Sequence, residues 1–576
     1  MRVSLRPWCA WALASAGLPL AASADPVVLP PFLVQEFKAG ELEWIHGQDE
    51  HFEVLSACDP EETQEFVQQI REQRRELGRV VPEEFLLQTT LPTTLILFPT
   101  SLKSQMNAEI VHAIERSGQG AREAQHLSSV EDLRLSDQDS TFIFVFLDDW
   151  SWRTYRWQRQ SGLRQGDSVV YLPTYVRFLL QAHAPAVPDW YVTGSASFYQ
   201  SIALDPAGLL GGRPAGPVWD YFRPDSWISD EAAKALRAHP EAPRVLIPLP
   251  ELFAPLAPVR KSDEYRQTWA AEAELFVRWA LSGKVADGPA KLRRFVAAST
   301  GSPPTEEVFE ACFGLGYADA LEALSDYLPE AVREPVEQPL PRPVAAQSME
   351  FASAAPEDVH RLKGEWFRRT LQLVRRDYPQ ALPLYVDQAR KLLQGSYDRG
   401  ERDPRLIASL ALLRIDLGDV AGGTALLAGN PDAARSRPLT LLKVAQQRLV
   451  AALTHPAGST GALSEEQREG VLEPLAKADR QDPPIEGGYL LGALLAAHAG
   501  AAPTPAERAR LNEGARLFPR DAALVVKAAA WDLRVGDVSA ALRLTEFGMS
   551  VAGDPADRAK LTTLHDLATK AATAAN

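Results

Sequence analysis

The pattern of apolar and polar positions divides the chain into a front part that mixes two periodicities and a rear part that keeps only one. Glu43-Trp44-Ile45-His46 and His51-Phe52-Glu53-Val54-Leu55 read as two strands around a Gly47-Gln48-Asp49 turn. Glu61 to Leu77 then places Phe66, Ile70 and Leu77 at helical spacing. Thr93 to Phe98 and Thr141 to Leu147 are nearly continuous apolar runs, as strands buried on both faces are. From there the pattern is helical as far as a proline-rich stretch. The expected front part, residues 25–328, is α+β: a small sheet over about 35–160 and a helical part over about 161–328.

Residues 329–357 contain Pro329, Pro335, Pro339, Pro341, Pro343 and Pro356 with little periodicity, which predicts a linker. Over 358–576 strand signals vanish and Ala, Leu, Glu, Lys and Arg dominate, so this part is expected to be all-α. Two of its segments share a spacing. Asp403-Pro404-Arg405-Leu406 is followed fifteen positions after its Asp by Gly418-Asp419, and Asp521-Ala522-Ala523-Leu524 at the same distance by Gly536-Asp537. A weaker copy runs from Asp482-Pro483 to Gly500. Each unit offers a helix start, an apolar helix, a Gly turn and a second helix with small residues such as Ala540 and Ala541. This resembles degenerate tetratricopeptide repeats, which bury their faces by stacking into a solenoid. The usual aromatic positions are mostly unfilled, and a generic helical solenoid is the alternative.

Composition narrows the classes. A length of 576 residues suggests three or four domains at about 100–200 residues each. With 46% apolar and 23% charged residues, wholesale disorder is excluded. Asp+Glu number 75 against 60 Lys+Arg, giving −15 and no long basic run, so nucleic acid is not an expected partner. Arg2 and Arg6 precede an uncharged apolar stretch, Trp8 to Leu20, too short for a bilayer core of about 30 Å. Ala22-Ser23-Ala24 follows, so residues 1–24 are expected to be a signal peptide, with export to the periplasm or the extracellular space and no integral membrane segment afterwards. Cys9 would leave with the leader. Cys58 and Cys312 would remain, able to form a disulfide in an oxidising compartment, although their apolar surroundings favour buried thiols.

Catalytic motifs are missing. There is no His-Glu-x-x-His, no Gly-x-Ser-x-Gly, and Gly283-Lys284 lacks the upstream Gly of a phosphate loop, which is Arg278 here. His46 and His51 flank Glu50 across a turn and read as strand-edge residues, and Asp148-Asp149 as a solvated strand end. Trp150, Trp152, Tyr155 and Trp157 interleave with Arg153 and Arg156, a pattern that suits stacking on a sugar or extended ligand but more often closes the edge of a core.

One region carries a resemblance. Pro173 to Leu180 reads as a helix and His183 to Pro188 as a loop. A second helix follows with Pro188-x-Trp190 at its entry and Gly194-x-Ala196 inside it. Tyr265-Arg266-Gln267-Thr268-Trp269 and Phe309-Glu310-Ala311-Cys312-Phe313-Gly314 come later in the same order. This succession resembles gluzincin metallopeptidases of the peptidase MA-like kind over about residues 40–328. In that family a His-Glu-x-x-His helix is followed by a Glu-Gly-x-Ala helix whose Glu is the third zinc ligand. Here Thr193 stands where that Glu would be, and Tyr175 to Leu179 supply no His or Glu. The resemblance therefore implies a pseudoenzyme without metal, cofactor or catalytic residues, whose residual cleft of Tyr175, Leu179, Trp190, Thr193 and Gly194 could hold extended peptide. The expected function is an exported, non-catalytic binding or scaffolding protein with a protein or peptide partner. The alternative is an active metal-dependent hydrolase with ligands recruited from His46, His51, His112, His126 or His183.

Overall fold

The computed structural model describes residues 42–89, 91–99, 132–136, 139–147, 173–200, 203–204, 210–211, 246–254, 263–300, 304–331, 348–377, 379, 382–454, 463–478, 483–498, 504–519, 521–552 and 555–575. The expected leader, Asp148-Asp149 and the aromatic run Trp150, Trp152, Tyr155 and Trp157 lie outside the described residues.

A mixed sheet lies at the centre of the front part. Its strands are β1 (Ile45–Gln48), β2 (Phe52–Ser56), β3 (Thr93–Phe98), β4 (Asp132–Ser136), β5 (Thr141–Phe146) and β6 (Ala352–Ser353), in the order β4-β5-β3-β2-β1-β6. Strands β2, β3 and β5 are parallel, while β4, β1 and β6 pair antiparallel to their neighbours. A separate two-stranded ribbon joins Ala203–Leu204 to Leu210–Gly211.

The apolar runs of the central strands are explained by which faces they supply. Phe52, Val54, Leu95, Leu97, Ile143 and Val145 belong to one apolar cluster, and Leu55, Ile96, Phe98, Phe142 and Phe144, which alternate with them, to another. On the first face lie α1 (Pro60–Val80), α2 (Pro173–Gln181), α3 (Asp189–Gln200), α4 (Asp263–Leu281), α5 (Gly288–Ser299), α6 (Glu306–Phe313) and α7 (Tyr317–Ala331). The second face is covered by helices from beyond the proline-rich stretch: α8 (Pro356–Asp377), through Leu362, Trp366, Phe367 and Leu371, with α9 (Leu382–Asp398) and α10 (Pro404–Asp416) behind it.

This alters the expected linker, 329–357. Residues up to Ala331 belong to α7, Ala352 and Ser353 pair with His46 and Ile45 as an edge strand, and α8 begins at Pro356. The sheet is one layer shared by front and rear parts, whereas the sequence suggested a gap between them. Two exposed residues carry no apolar signature, which is why β6 escapes a reading by pattern.

The rear part continues with α11 (Val420–Ala428), a short helix Pro431–Arg435, α12 (Pro438–Thr454), α13 (Glu465–Ala478), α14 (Glu486–Ala497), α15 (Pro505–Leu517), α16 (Ala522–Arg534), α17 (Val538–Val551) and α18 (Pro555–Ala575). The expected repeat signals are its caps. Asp403 accepts from Arg405 N at 2.6 Å, Gly418 turns the chain at φ +93°, and Asp419 accepts from Gly422 N at 2.9 Å. Asp521 accepts from Ala523 N at 2.8 Å, Gly536 turns it at φ +83°, and Asp537 accepts from Ala540 N at 3.2 Å. Successive helices pack on one another, and α12, α14, α16 and α18 also pack one against the next, as the leading helices of stacked pairs do. No described helix is long and apolar enough to cross a membrane.

Candidate functional site

The helices of the expected cleft form where the pattern places them, and α2 packs beside α3. Their side chains do not line an opening. Tyr175, Leu179 and Trp190 are 0%, 2% and 1% exposed. The Trp190 ring lies 5.1 Å from that of Phe253, 5.4 Å from Phe276 and 5.6 Å from Phe295, inside an aromatic core that Phe309 and Phe313 extend. Gly194 sets the distance between α3 and α4, since a Cβ there would stand 2.4 Å from the Ala273 carbonyl oxygen. Thr193 is half-buried and is the member of the set that reaches solvent. The expectation of a peptide-holding cleft at Trp190 is therefore corrected: these residues pack a core. Burial raises the Tyr175 phenol pKa, with Arg74 beside it opposing the shift.

The later motifs are structural as well. Tyr265 Oη donates to Glu251 Oε1 at 2.8 Å and Trp269 Nε1 to the Leu252 carbonyl at 3.0 Å, tying α4 to the turn Leu249–Leu252. Glu272, which follows them on α4, accepts from Ile247 N at 2.6 Å, and burial pushes its carboxyl well above the usual range. Gly314 ends α6 in the left-handed region at φ +79°. Cys58 and Cys312 are both thiols, the first buried and the second half-buried.

Among the recruited histidines, His112 and His126 lie outside the described residues. His51 is exposed beside Glu50, and His183 meets the Pro185 carbonyl at 2.9 Å. His46 stands near Glu53 and Asp358, with ligand-type atoms within 4.8 Å of one another. That group is already satisfied by cations of the protein: Glu53 Oε1 accepts from Arg361 at 2.5 Å and from Arg405 at 3.0 Å. Burial alone would raise the Glu53 carboxyl, but His46, Arg361 and Arg405 hold it well below the usual range. A divalent ion would have to enter between two guanidinium groups, so the arrangement suits an ion-pair knot joining sheet to repeats.

A second knot lies on the same face. Glu365 accepts from Arg368 and Arg369 and, at 2.6 Å, from Arg437. Arg437 also reaches Asp139 at 2.6 Å, Arg368 reaches Asp416 at 2.7 Å, and Arg369 donates to the Ser140 carbonyl at 2.7 Å. Sequence reasoning could not find these partners, since Arg361 and Glu53 are separated by 308 positions and Arg437 and Asp139 by 298.

Among the described residues, the leading helices α14 and α16 turn apolar side chains partly towards solvent. In α14, Gly487, Leu490 and Leu494 are half-buried, and in α16, Ala523 and Ala530 are exposed while Val526 and Leu533 are half-buried, at spacings of three and four that mark one stripe per helix. The stripes are apolar and small, and Leu490 and Val526 pack on the cluster beneath them. Charges at their margin are held against their preference. Burial and the neighbouring Asp521 raise Glu486 to about 7, burial raises Asp521, and burial lowers Lys527 and His498.

A pH prediction follows from Glu486. Its folded pKa lies above its ordinary value, so the neutral form favours the fold and stability is lost as pH rises from about 4.5 towards 7. Glu486→Gln is expected to melt with wild type at about pH 5 and above it at about pH 8, by roughly 1–3 kcal/mol. Equal melting at both values, read by calorimetry, would contradict a partly desolvated Glu486.

No family model and no curated protein matches the sequence. Among solved structures, the chain is similar to a thermophilic TPR protein of Thermus thermophilus, at 19% identity and a TM-score of 0.25, covering 35% of this chain and 99% of that one.

Proposed function

We propose that this chain is an exported, non-catalytic scaffolding protein whose tetratricopeptide-like repeats hold a protein or peptide partner. The observation that carries the reading is the pair of apolar stripes on α14 and α16, left on the solvent side after the array has buried its own faces. A net charge of −15 argues for a protein rather than a nucleic acid at that surface. Export is supported in this proposal by the leader-like pattern of residues 1–24.

The front part, in the same proposal, is a zinc-peptidase-like body that has lost its chemistry. Its support is the order of gluzincin-like motifs, with Thr193 at the position of a ligand Glu and aromatic packing around Trp190. Such a body takes part by holding the repeats in place. Purified protein is expected to carry no stoichiometric zinc, to leave unstructured peptides uncut, and to melt at the same temperature with and without chelator. Hydrolysis that chelator abolishes and zinc restores would replace this reading with the active-hydrolase alternative.

A further inference from the structure

Helix α18 (Pro555–Ala575) is held to the repeats by one side. Leu561 and Ala568 on that side are 0% exposed, and His565 Nδ1 meets Thr545 Oγ1 of α17 at 3.1 Å. The opposite side carries Ala559, Thr563, Asp566, Leu567, Lys570 and Thr573, at the spacings of three and four that mark one helix face, and all six are exposed. Leu567 is 52% exposed, more than any other large apolar side chain among the described residues. The two threonines extend its apolar character. Thr563 Oγ1 donates to the Ala559 carbonyl and Thr573 Oγ1 to the Thr569 carbonyl, each at 2.9 Å, so the helix engages both hydroxyls and the methyls are left to meet a neighbour. The charges on this face also differ from the others on the helix. Lys560 donates to Asp557 at 2.7 Å and Arg558 to the Ala552 carbonyl at 2.8 Å, whereas Asp566 and Lys570 make no ion pair among the described residues.

We propose that this face docks a second copy of the chain, α18 against α18, antiparallel about a twofold axis level with Ala568. The argument is charge complementarity under that symmetry. A twofold contact joins one patch to itself, so it needs opposite charges placed at equal distances on either side of the axis. Asp566 and Lys570 stand two residues before and two residues after Ala568. Asp566 therefore meets the partner's Lys570, and Lys570 the partner's Asp566. Thr563 and Thr573, five residues on either side, bring their methyls together in the same way, and Leu567 lies one residue from the axis, where it covers its own copy. A parallel pairing would set Asp566 against the partner's Asp566 and gains none of this. The contact is small. A helix of 21 residues is about 30 Å long, and one helix on one helix falls below the roughly 1,200 Å² of a standard interface, so the dimer is expected to be weak and to depend on concentration. The inference stands apart from the partner-binding reading above, which concerns α14 and α16.

The test is sedimentation equilibrium of the full chain over roughly 1–100 µM, where a weak contact of this size should form. Wild type should pass from one chain per particle to two. Leu567→Arg should stay at one throughout and keep the melting curve of dilute wild type, since the exposed side chain supports nothing within the fold. Asp566→Lys and Lys570→Asp should each weaken association by at least about tenfold, because each sets like charges opposite one another. Mixed together, those two variants should associate with each other more tightly than either does with itself, and the double variant Asp566→Lys/Lys570→Asp should recover the wild-type mass. Pairing of Asp566 with Lys570 inside one helix cannot produce the gain on mixing. Wild type that remains a single chain at the highest concentration, a dimer that survives Leu567→Arg, or variants that gain nothing on mixing would overturn the inference.

Discussion

A fragment that ends at Ala331 is expected to precipitate on expression, or to remain as an expanded species that binds hydrophobic dyes and melts without a cooperative transition. Cutting there removes α8 to α10 and uncovers Trp44, Leu55, Ile96, Phe98, Phe142 and Phe144, all buried against those helices in the whole chain. At about 1.5–3 kcal/mol for each large side chain, the loss is on the order of 10 kcal/mol, comparable to the whole stability of a domain. The fragment would also lose β6 from the edge of β1 and both guanidinium partners of Glu53. A chain nicked in the proline-rich stretch should, by the same argument, stay associated until denatured. A soluble fragment with a sharp melting transition would show that the sheet folds without its second layer.

Glu365→Ala should be the most damaging single substitution on that face. The carboxylate is 4% exposed, and Arg368, Arg369 and Arg437 all donate to it. Removing it takes from Arg368, Arg369 and Arg437 the one carboxylate that all three share, at a site with little access for water to replace it. Breaking a buried pair of this kind costs about 3–5 kcal/mol, which lowers the melting temperature by on the order of 10 °C. The pH dependence has a definite sign. Burial works against the Glu365 charge, but Arg368, Arg437 and Arg369 hold its folded pKa well below the usual range, so its stabilisation is present above about pH 4.5 and fades as the solution is acidified. Glu365→Ala should therefore differ most from wild type near neutrality and converge with it in acid. A neutral-pH melting temperature unchanged by the substitution would contradict the network.

The sequence made the local elements readable and concealed how they assemble. The hairpin at Gly47, the runs of β3 and β5, and the helices α2 and α3 are each written in a few consecutive residues, as are the Asp and Gly caps around Gly418 and Gly536. Continuous apolar runs in β3 and β5 implied cover on both faces, yet the helices that give the second cover start some 200 residues after β5, beyond a stretch of prolines that reads as a boundary. Strand β4 alternates Asp132-Leu133-Arg134-Leu135-Ser136 over too short a span to stand out, and β6 is two small residues. Trp190 looked like the lip of a cleft because its aromatic partners, Phe253, Phe276 and Phe295, are dispersed along the chain, and only folding brings their rings within 6 Å. The half-buried stripes of α14 and α16 were invisible for a related reason: Leu490 and Val526 differ from core residues in exposure, and exposure is decided by the neighbouring helices.

The repeats as the binding surface are tested most directly by site-specific photo-cross-linking in the producing cell. A photoreactive residue is placed in the full-length chain at Leu494 or Ala530, on the stripes, and at Glu546 on α17 as a control outside them. The account predicts a discrete adduct from Leu494 and Ala530, lost when Val526→Arg is added, and none from Glu546. Adducts from Glu546 with none from either stripe position would contradict it.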